Sequence, residues 1–138
     1  NHYEVIVKLH PNEGHLYETY RHMHPRIHCF MNEWVDIQEL YLISDALITD
    51  YSSALFDYAH LNRPMIVLDE DTSDYKQSVG FYFDFKEIAS VRQFPAEPRE
   101  IAQYIQTHPH VDHSAIIQTF MTQDTSCSDK KIVNKMFN

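Results

Sequence analysis

The chain has 138 residues, of which 43% are hydrophobic, and its formal net charge is −9. This apolar fraction is enough for a core and excludes wholesale disorder, and no apolar run approaches the roughly 20 residues of a membrane span. A chain this acidic lacks the basic face needed for non-specific nucleic-acid binding, so we expect no nucleic-acid partner.

Four short apolar runs alternate with helical patterns along the first half of the chain. The runs, at residues 4–10, 27–31, 46–49 and 65–68, are predicted strands. The helices between them are predicted at residues 12–24, after a cap at Asp36, and from Ser52 and Ser53. Continuous apolar strands joined by helices predict an α/β fold with a doubly wound parallel sheet.

The second half of the chain is predicted to be less regular. Residues 72–95 are rich in aromatic side chains and have no clear period, which favours an ordered loop. Three further helices are predicted at 98–107, at 113–121 and from a cap at Ser128. Since the chain begins three residues before its first strand motif and without an initiator Met, we expect it to be an excised domain.

The chain has only two glycines, Gly14 and Gly80. A Walker loop and a dinucleotide fingerprint each need at least two glycines within a few residues, so both motifs are excluded. Any phosphate site must therefore use the N-terminus of a helix together with small hydroxyl residues.

The third strand ends at Thr49 and Asp50, and Ser52 and Ser53 begin the next helix. Ligands of doubly wound sheets bind at the carboxyl ends of the strands. Unpaired N–H groups and the helix dipole favour an anion there, and the two hydroxyls add donors. These residues predict a phosphate or diphosphate site, although a plain helix N-cap explains the same residue types equally well.

Three further residues, at two places in the sequence, suit a nucleotide donor. Asp57 lies about one helical turn beyond the serines, where a carboxylate can accept from ribose hydroxyls; a solvated helix carboxylate is the alternative. Lys8 and His10 alternate along the first strand and share one face, which suits a phosphoryl group. His10 could stabilise charge on a leaving group, or be a core histidine bonded to backbone.

The ten histidines raise the question of a metal site. Their clusters at residues 22–28 and 108–113 match no zinc template, so we interpret them as solvated side chains and expect no metal and no cofactor. Asp69, Glu70, Asp71 and Asp74 are interpreted as an exposed acidic loop. Cys29 and Cys127 are typical of ordinary thiols in a reducing compartment.

Four segments, at residues 7–11, 44–53, 56–58 and 63–66, occur in an order and spacing that resembles one family. Their strings KLHP and ITDYSS are similar to those in the C-terminal part of the CDP-glycerol glycerophosphotransferases, the teichoic-acid primases and polymerases. The resemblance implies the Rossmann-like C-terminal half of a GT-B fold. It implies transfer of glycerol phosphate, or a related polyol phosphate, from a CDP-activated donor to a teichoic-acid-like or capsular polymer, with release of CMP.

The resemblance also implies residue roles and partners. His10 would be catalytic and would lie near the donor pyrophosphate. The donor nucleotide-diphosphate would be bound by Lys8, Thr49, Asp50, Ser52, Ser53 and Asp57. The partners would be CDP-glycerol or a related CDP-polyol, a lipid-linked polymer acceptor and a missing N-terminal half. The enzyme would be cytoplasmic, at the inner face of the membrane, and residues 1–138 would form its single nucleotide-donor-binding domain.

The family's other catalytic histidine belongs to the N-terminal half, so the isolated chain is expected to be inactive. Two alternatives remain at this point. One is the UDP-sugar-binding half of a GT-B glycosyltransferase or of a UDP-sugar 2-epimerase. The other is a phospho-receiver module, which needs an acidic pair after its first strand, where this chain has Lys8 and His10.

Overall fold

The computed structural model describes residues 3–31, 35–50, 52–68, 90–94, 97–122 and 127–137. The chain divides into two compact units, residues 1–44 and 45–138, and each is described by itself. The predicted acidic loop at 69–74 and most of the predicted aromatic loop lie outside the described residues.

The first unit is built on two parallel strands, β1 (Val5–Lys8) and β2 (Ile27–Phe30). They are connected by a 3₁₀ helix, Pro11–Leu16, and by α1, Tyr17–Met23. The predicted helix over 12–24 is thus split. The first part contains Gly14, which disfavours an α-helix. It begins with Pro11, which fits the first position of a helical turn.

The first unit also contains α2, Ile37–Ile43. The predicted cap is confirmed, because the Asp36 carboxylate accepts from the N–H of Gln38 at 2.9 Å. Leu40 and Tyr41 are buried, so these two side chains anchor the helix.

The second unit contains a three-stranded parallel sheet in the order β3, β4, β5. Its strands are β3 (Leu47–Thr49), β4 (Met65–Leu68) and β5 (Arg92–Phe94). Its helices are α3 (Ala54–Ala59), α4 (Pro98–Thr107), α5 (Ser114–Phe120) and α6 (Ser128–Phe137). Because all three strands are parallel, their carboxyl ends share one edge, and Thr49 pairs with Val67 there.

The central strand β4 forms the core of the second unit. Met65, Ile66 and Val67 are fully buried, as expected for a parallel strand covered on both faces. Strand β5 was not predicted, because its residues fall within the predicted loop at 72–95. A three-residue strand shows too little alternation to be recognised, and it forms because buried β4 must pair its backbone groups on both sides.

The prediction of a mixed α/β fold with parallel strands is confirmed. Within the described ranges, the strands are paired in two sheets, one of two strands and one of three, so one continuous doubly wound sheet stays a prediction. In the ranges that the structure describes, no helix has the length and apolarity of a membrane span.

Candidate functional site

The turn between β3 and α3 carries most of the predicted donor-binding residues. Thr49 is the last residue of β3 and is half-buried, and Asp50 follows it and is exposed. Ser53 is the N-cap of α3, so the predicted helix start at the two serines is close to the observed one. The turn therefore lies at the carboxyl edge of the three-stranded sheet, although Tyr51 is outside the described residues.

The two serines have different surroundings. The Ser52 hydroxyl oxygen is half-buried and accepts from the N–H of Ala54 at 3.3 Å. Ser53 is exposed and makes no side-chain cap bond. Ser52 thus accepts from the first N–H of the helix through an oxygen lone pair and keeps its O–H as a donor, whereas exposed Ser53 makes no such bond.

The helix α3 is held by one buried face. Leu55, Tyr58 and Ala59 are fully buried on that face. Ser53 and Asp57 are both exposed, and a spacing of four residues places them on one face of the helix, one above the other. A hydroxyl and a carboxylate are therefore presented together on the open side of a well-anchored helix.

A second packing contact fixes the position of α3. Its Phe56 ring lies against Phe120 of α5, with centroids 5.4 Å apart and planes at 58°. Tilted aromatic pairs at this distance are favourable beyond the area that they bury. Helix α3 is therefore held in place both by its buried face and by this contact with α5.

Lys8 and His10 lie in the first unit, at the end of β1. The strand ends at Lys8, two residues earlier than predicted, but the ladder continues because the N–H of Leu9 donates to the Phe30 carbonyl at 3.1 Å. Leu9 is buried, Lys8 half-buried and His10 exposed. This alternation leaves the imidazole of His10 accessible to a ligand.

His10 is also the N-cap of the 3₁₀ helix. Its Nδ1 accepts from the N–H of Asn12 at 3.3 Å, and its own N–H donates to a Glu13 carboxylate oxygen at 3.2 Å. The two bonds form a reciprocal capping box. Glu13 was not among the predicted site residues, although its spacing of three residues from a polar cap residue is the sequence pattern of a capping box.

The predicted site residues belong to two compact units. Lys8 and His10 lie in the first unit, and the second unit contains Thr49, Asp50, Ser52, Ser53 and Asp57. Within the second unit the structure brings Ser53 and Asp57 onto one exposed helix face. Within the first it places Lys8 and His10 beside the end of one strand.

The interpretation of His113 as a solvated side chain is wrong, because this residue is fully buried. Its Nε2 donates to the Arg63 carbonyl at 2.8 Å, and its backbone N–H donates to Asn62 Oδ1 at 3.1 Å. Nδ1 is buried and, among the residues that the structure describes, has no hydrogen-bond partner. Burial lowers the pKa of the His113 imidazole, and this effect outweighs the Arg63 carbonyl and Asp112, which act in the opposite direction.

Asn62, which accepts from the backbone N–H of His113, has an unusual backbone conformation. Its φ of 51° is in the left-handed region, which asparagine tolerates better than most residues. Its carbonyl accepts from the N–H of Val111 at 3.0 Å, in addition to the bond with His113. Hydrogen bonds of Asn62 and His113 therefore hold the segment before α5 against the turn before β4. Neither residue was predicted to have this role.

The two cysteines and the apolar residues of α4 lie outside the candidate site. Cys29 is buried, which raises the pKa of its thiol, while Cys127 is exposed. In α4, the apolar residues Ile101, Ala102 and Ile105 are half-buried. These residues have structural surroundings and add nothing to the candidate site.

Residues 1–138 match the family described as CDP-Glycerol:Poly(glycerophosphate) glycerophosphotransferase. The chain is 32% identical over 153 aligned residues to a teichoic acid poly(glycerol phosphate) polymerase of Bacillus subtilis, which covers 99% of this chain and 19% of that protein. It is 49% identical over 57 residues to a teichoic acid glycerol-phosphate transferase of Staphylococcus aureus, covering 41% and 15%.

Solved structures give the same picture. The chain is similar to a variant of the wall teichoic acid polymerase TagF determined with CDPG, with a TM-score of 0.72 and 27% identity. That match covers 94% of this chain and 33% of the TagF chain. The chain thus spans about a fifth of the Bacillus subtilis relative and a third of the matched TagF structure.

Proposed function

Because the chain belongs to the CDP-glycerol:poly(glycerophosphate) glycerophosphotransferase family, we propose that it is the donor-binding part of such an enzyme. The whole enzyme would transfer glycerol phosphate, or a related polyol phosphate, from a CDP-activated donor to a teichoic-acid-like polymer. The observation that carries this proposal is the extent of the family match, which runs over all 138 residues and so includes both candidate segments.

The fold supports the same proposal. Parallel strands, helical connections and a similarity to TagF at a TM-score of 0.72 are compatible with the C-terminal, Rossmann-like half of a GT-B enzyme. A doubly wound parallel sheet, as expected from the sequence, is part of this proposal. The diphosphate would then meet the carboxyl ends of the strands, where a glycine-poor chain offers hydroxyls and helix N–H groups.

The proposed reaction is a phosphoryl-group displacement. An acceptor hydroxyl oxygen attacks the phosphorus that bears the polyol, and the bond from that phosphorus to the bridging oxygen breaks. CMP leaves with the bridging oxygen, and the acceptor proton passes to a base outside the segments described here. Negative charge grows on the departing phosphate, so donors placed at that oxygen accelerate the reaction.

Each site residue has a role in this proposal. Ser52 and Ser53 donate hydroxyl hydrogen bonds to the diphosphate, and Thr49 and Asp50 shape the turn that presents them. Asp57 accepts from the ribose hydroxyls. In the first unit, Lys8 supplies positive charge to the phosphates and His10 supplies an N–H donor to the departing oxygen.

The proposal extends to the cellular setting. The acceptor would be a lipid-linked polymer, so the enzyme would work in the cytoplasm, peripherally at the inner membrane face. The remaining catalytic groups, including the base that activates the acceptor, would come from an N-terminal half of the enzyme.

Donor binding is tested by amide hydrogen exchange with added CDP-glycerol. We expect slower exchange in residues 49–57, because the diphosphate would bind the backbone and hydroxyls of this turn. A UDP-sugar at the same concentration is the comparison, and it should protect less. Equal or stronger protection by the UDP-sugar would favour a UDP-sugar enzyme instead, and no protection by either nucleotide would contradict the proposed site.

The proposed ribose contact is tested with Asp57→Ala in the full-length enzyme. We expect the KM for the donor to rise roughly 10-fold with a smaller change in kcat, because a hydrogen bond to a charged group is lost from binding. Asp45→Ala is the matched control, since Asp45 is another exposed carboxylate of the same unit. An unchanged KM in Asp57→Ala would refute the ribose contact.

A further inference from the structure

We propose that Glu13 is a positioning residue for His10, and that their capping box fixes the His10 ring as the tautomer with its proton on Nε2. The inference rests on the proposed function in one respect, namely that Nε2 of His10 meets the donor diphosphate. The capping geometry itself is independent of that function.

The backbone around His10 is held on both sides. Before it, Leu9 is buried and donates its N–H to the Phe30 carbonyl at 3.1 Å, which ties the chain to β2. After it, the ring of Pro11 restricts the backbone. His10 itself is extended, with φ −65° and ψ 148°, as expected of a helix cap.

Three hydrogen bonds then fix the cap. The N–H of Glu13 donates to the His10 carbonyl at 2.8 Å, and the Glu13 carboxylate accepts from the His10 N–H at 3.2 Å. The N–H of Asn12 donates to His10 Nδ1 at 3.3 Å. Glu13 thus secures the backbone of His10 from both its N–H and its C=O, while Asn12 orients the ring.

The bond from Asn12 determines the tautomer. A backbone N–H can only donate, so His10 Nδ1 must offer a lone pair, and the proton of the neutral ring is on Nε2. The ring is exposed, and within the part of the chain that the structure describes Nε2 has no hydrogen-bond partner. His10 therefore presents a single N–H donor on the side of the ring opposite the cap.

This assignment selects between two chemical roles. A neutral imidazole is a very weak acid, so a His10 held in this tautomer stabilises charge through its Nε2–H without giving up the proton. CMP leaves as a phosphate anion, which needs charge stabilisation more than protonation. We therefore assign His10 to electrostatic stabilisation of the departing phosphate and not to general acid catalysis.

The tautomer is tested by two-bond ¹H–¹⁵N correlation NMR on the 138-residue chain at alkaline pH, with His10→Ala used to assign the ring signals. We expect the wild-type ring to be protonated on Nε2. Glu13→Ala should move the tautomer ratio toward Nδ1–H on the order of 5-fold, whereas Glu13→Gln keeps an acceptor and should resemble the wild type. Glu18→Ala removes another exposed carboxylate, one that contacts His22 and not His10, and should leave the His10 tautomer unchanged.

The consequence for the reaction is tested in the full-length enzyme. Glu13→Ala should lower kcat by about 5-fold while the donor KM changes little. The displaced His10 ring would stabilise less well the charge that develops in the transition state, whereas binding of the donor in the ground state does not depend on that charge. Glu13→Gln should restore kcat. A wild-type ring protonated on Nδ1, or a Glu13→Ala variant with unchanged tautomer and unchanged kcat, would overturn the inference.

The outcomes also separate this inference from the proposed function. A wild-type Nδ1–H ring together with an inactive His10→Ala enzyme overturns the positioning role and leaves the proposed function standing. The expected tautomer together with normal turnover of His10→Ala overturns the catalytic assignment of His10, and with it the positioning role of Glu13.

Discussion

Replacing His113 with alanine should lower the free energy of unfolding by about 2–4 kcal/mol. The substitution leaves a cavity in place of a fully buried ring, and the Arg63 carbonyl loses the donor that lies 2.8 Å away. Urea denaturation followed by circular dichroism measures the loss. Faster amide exchange of Ile116 and Ile117 should accompany it, because helix α5 begins directly after His113.

The matched control is His110→Ala. His110 is an exposed histidine of the same segment, so its replacement should change stability by less than about 0.5 kcal/mol. If His113→Ala were as mild as this control, the burial of the ring and its hydrogen bond to the Arg63 carbonyl would contribute little to stability.

The same site predicts a dependence on pH. Burial holds the pKa of His113 below its ordinary value of 6.5, so the unfolded chain binds a proton at this residue more readily than the native chain. The stability that His113 contributes is therefore complete above that value and is lost as the pH falls below it. Asp112 titrates lower still, because hydrogen bonds from Ser114 lower its pKa from 3.8. Subtracting the pH profile of His113→Ala from that of the wild type isolates the histidine.

In the full-length enzyme, His10→Ala should lower turnover on the order of 10²-fold or more, as for the loss of a donor that stabilises developing charge. The expectation follows from an exposed imidazole whose Nδ1 is engaged by Asn12 and whose Nε2 faces outward. The rate of CMP release from CDP-glycerol under steady-state conditions is the measurement.

His15→Ala is the matched control for His10, since it is an exposed histidine of the same 3₁₀ helix and has no role in the proposed site. It should keep turnover near that of the wild type. Normal turnover in His10→Ala would leave this residue only its capping role, and the source of charge stabilisation would have to be sought elsewhere.

The sequence was most informative where structure is determined locally. The helix at Pro98–Thr107 has the predicted limits, because a proline at its first turn and a regular apolar spacing act within ten residues. The Asp36 cap and the strand after Pro64 were predicted for similar reasons, since each depends on neighbours in the sequence.

The features that were missed depend on contacts between distant residues. His113 and His110 look alike in the sequence, and they are distinguished by contacts of His113 with Asn62 and Arg63, about fifty residues away. Strand β5 exists because β4 has an edge to pair. At the candidate site, the serines and Asp57 were found from the strand-to-helix pattern, but the role of Glu13 depends on a cap geometry that residue types alone do not define.

Asn62 serves two demands that few side chains can meet together. Its backbone occupies the left-handed region, and its side-chain oxygen accepts from the N–H of His113. Glycine would satisfy the first demand and lose the second, while most other residues would be strained in the first. Because the N–H of residue 113 belongs to the backbone, this bond constrains position 62 alone, and a homologous chain with the same turn is expected to keep there a side chain that tolerates the left-handed region and carries an acceptor oxygen.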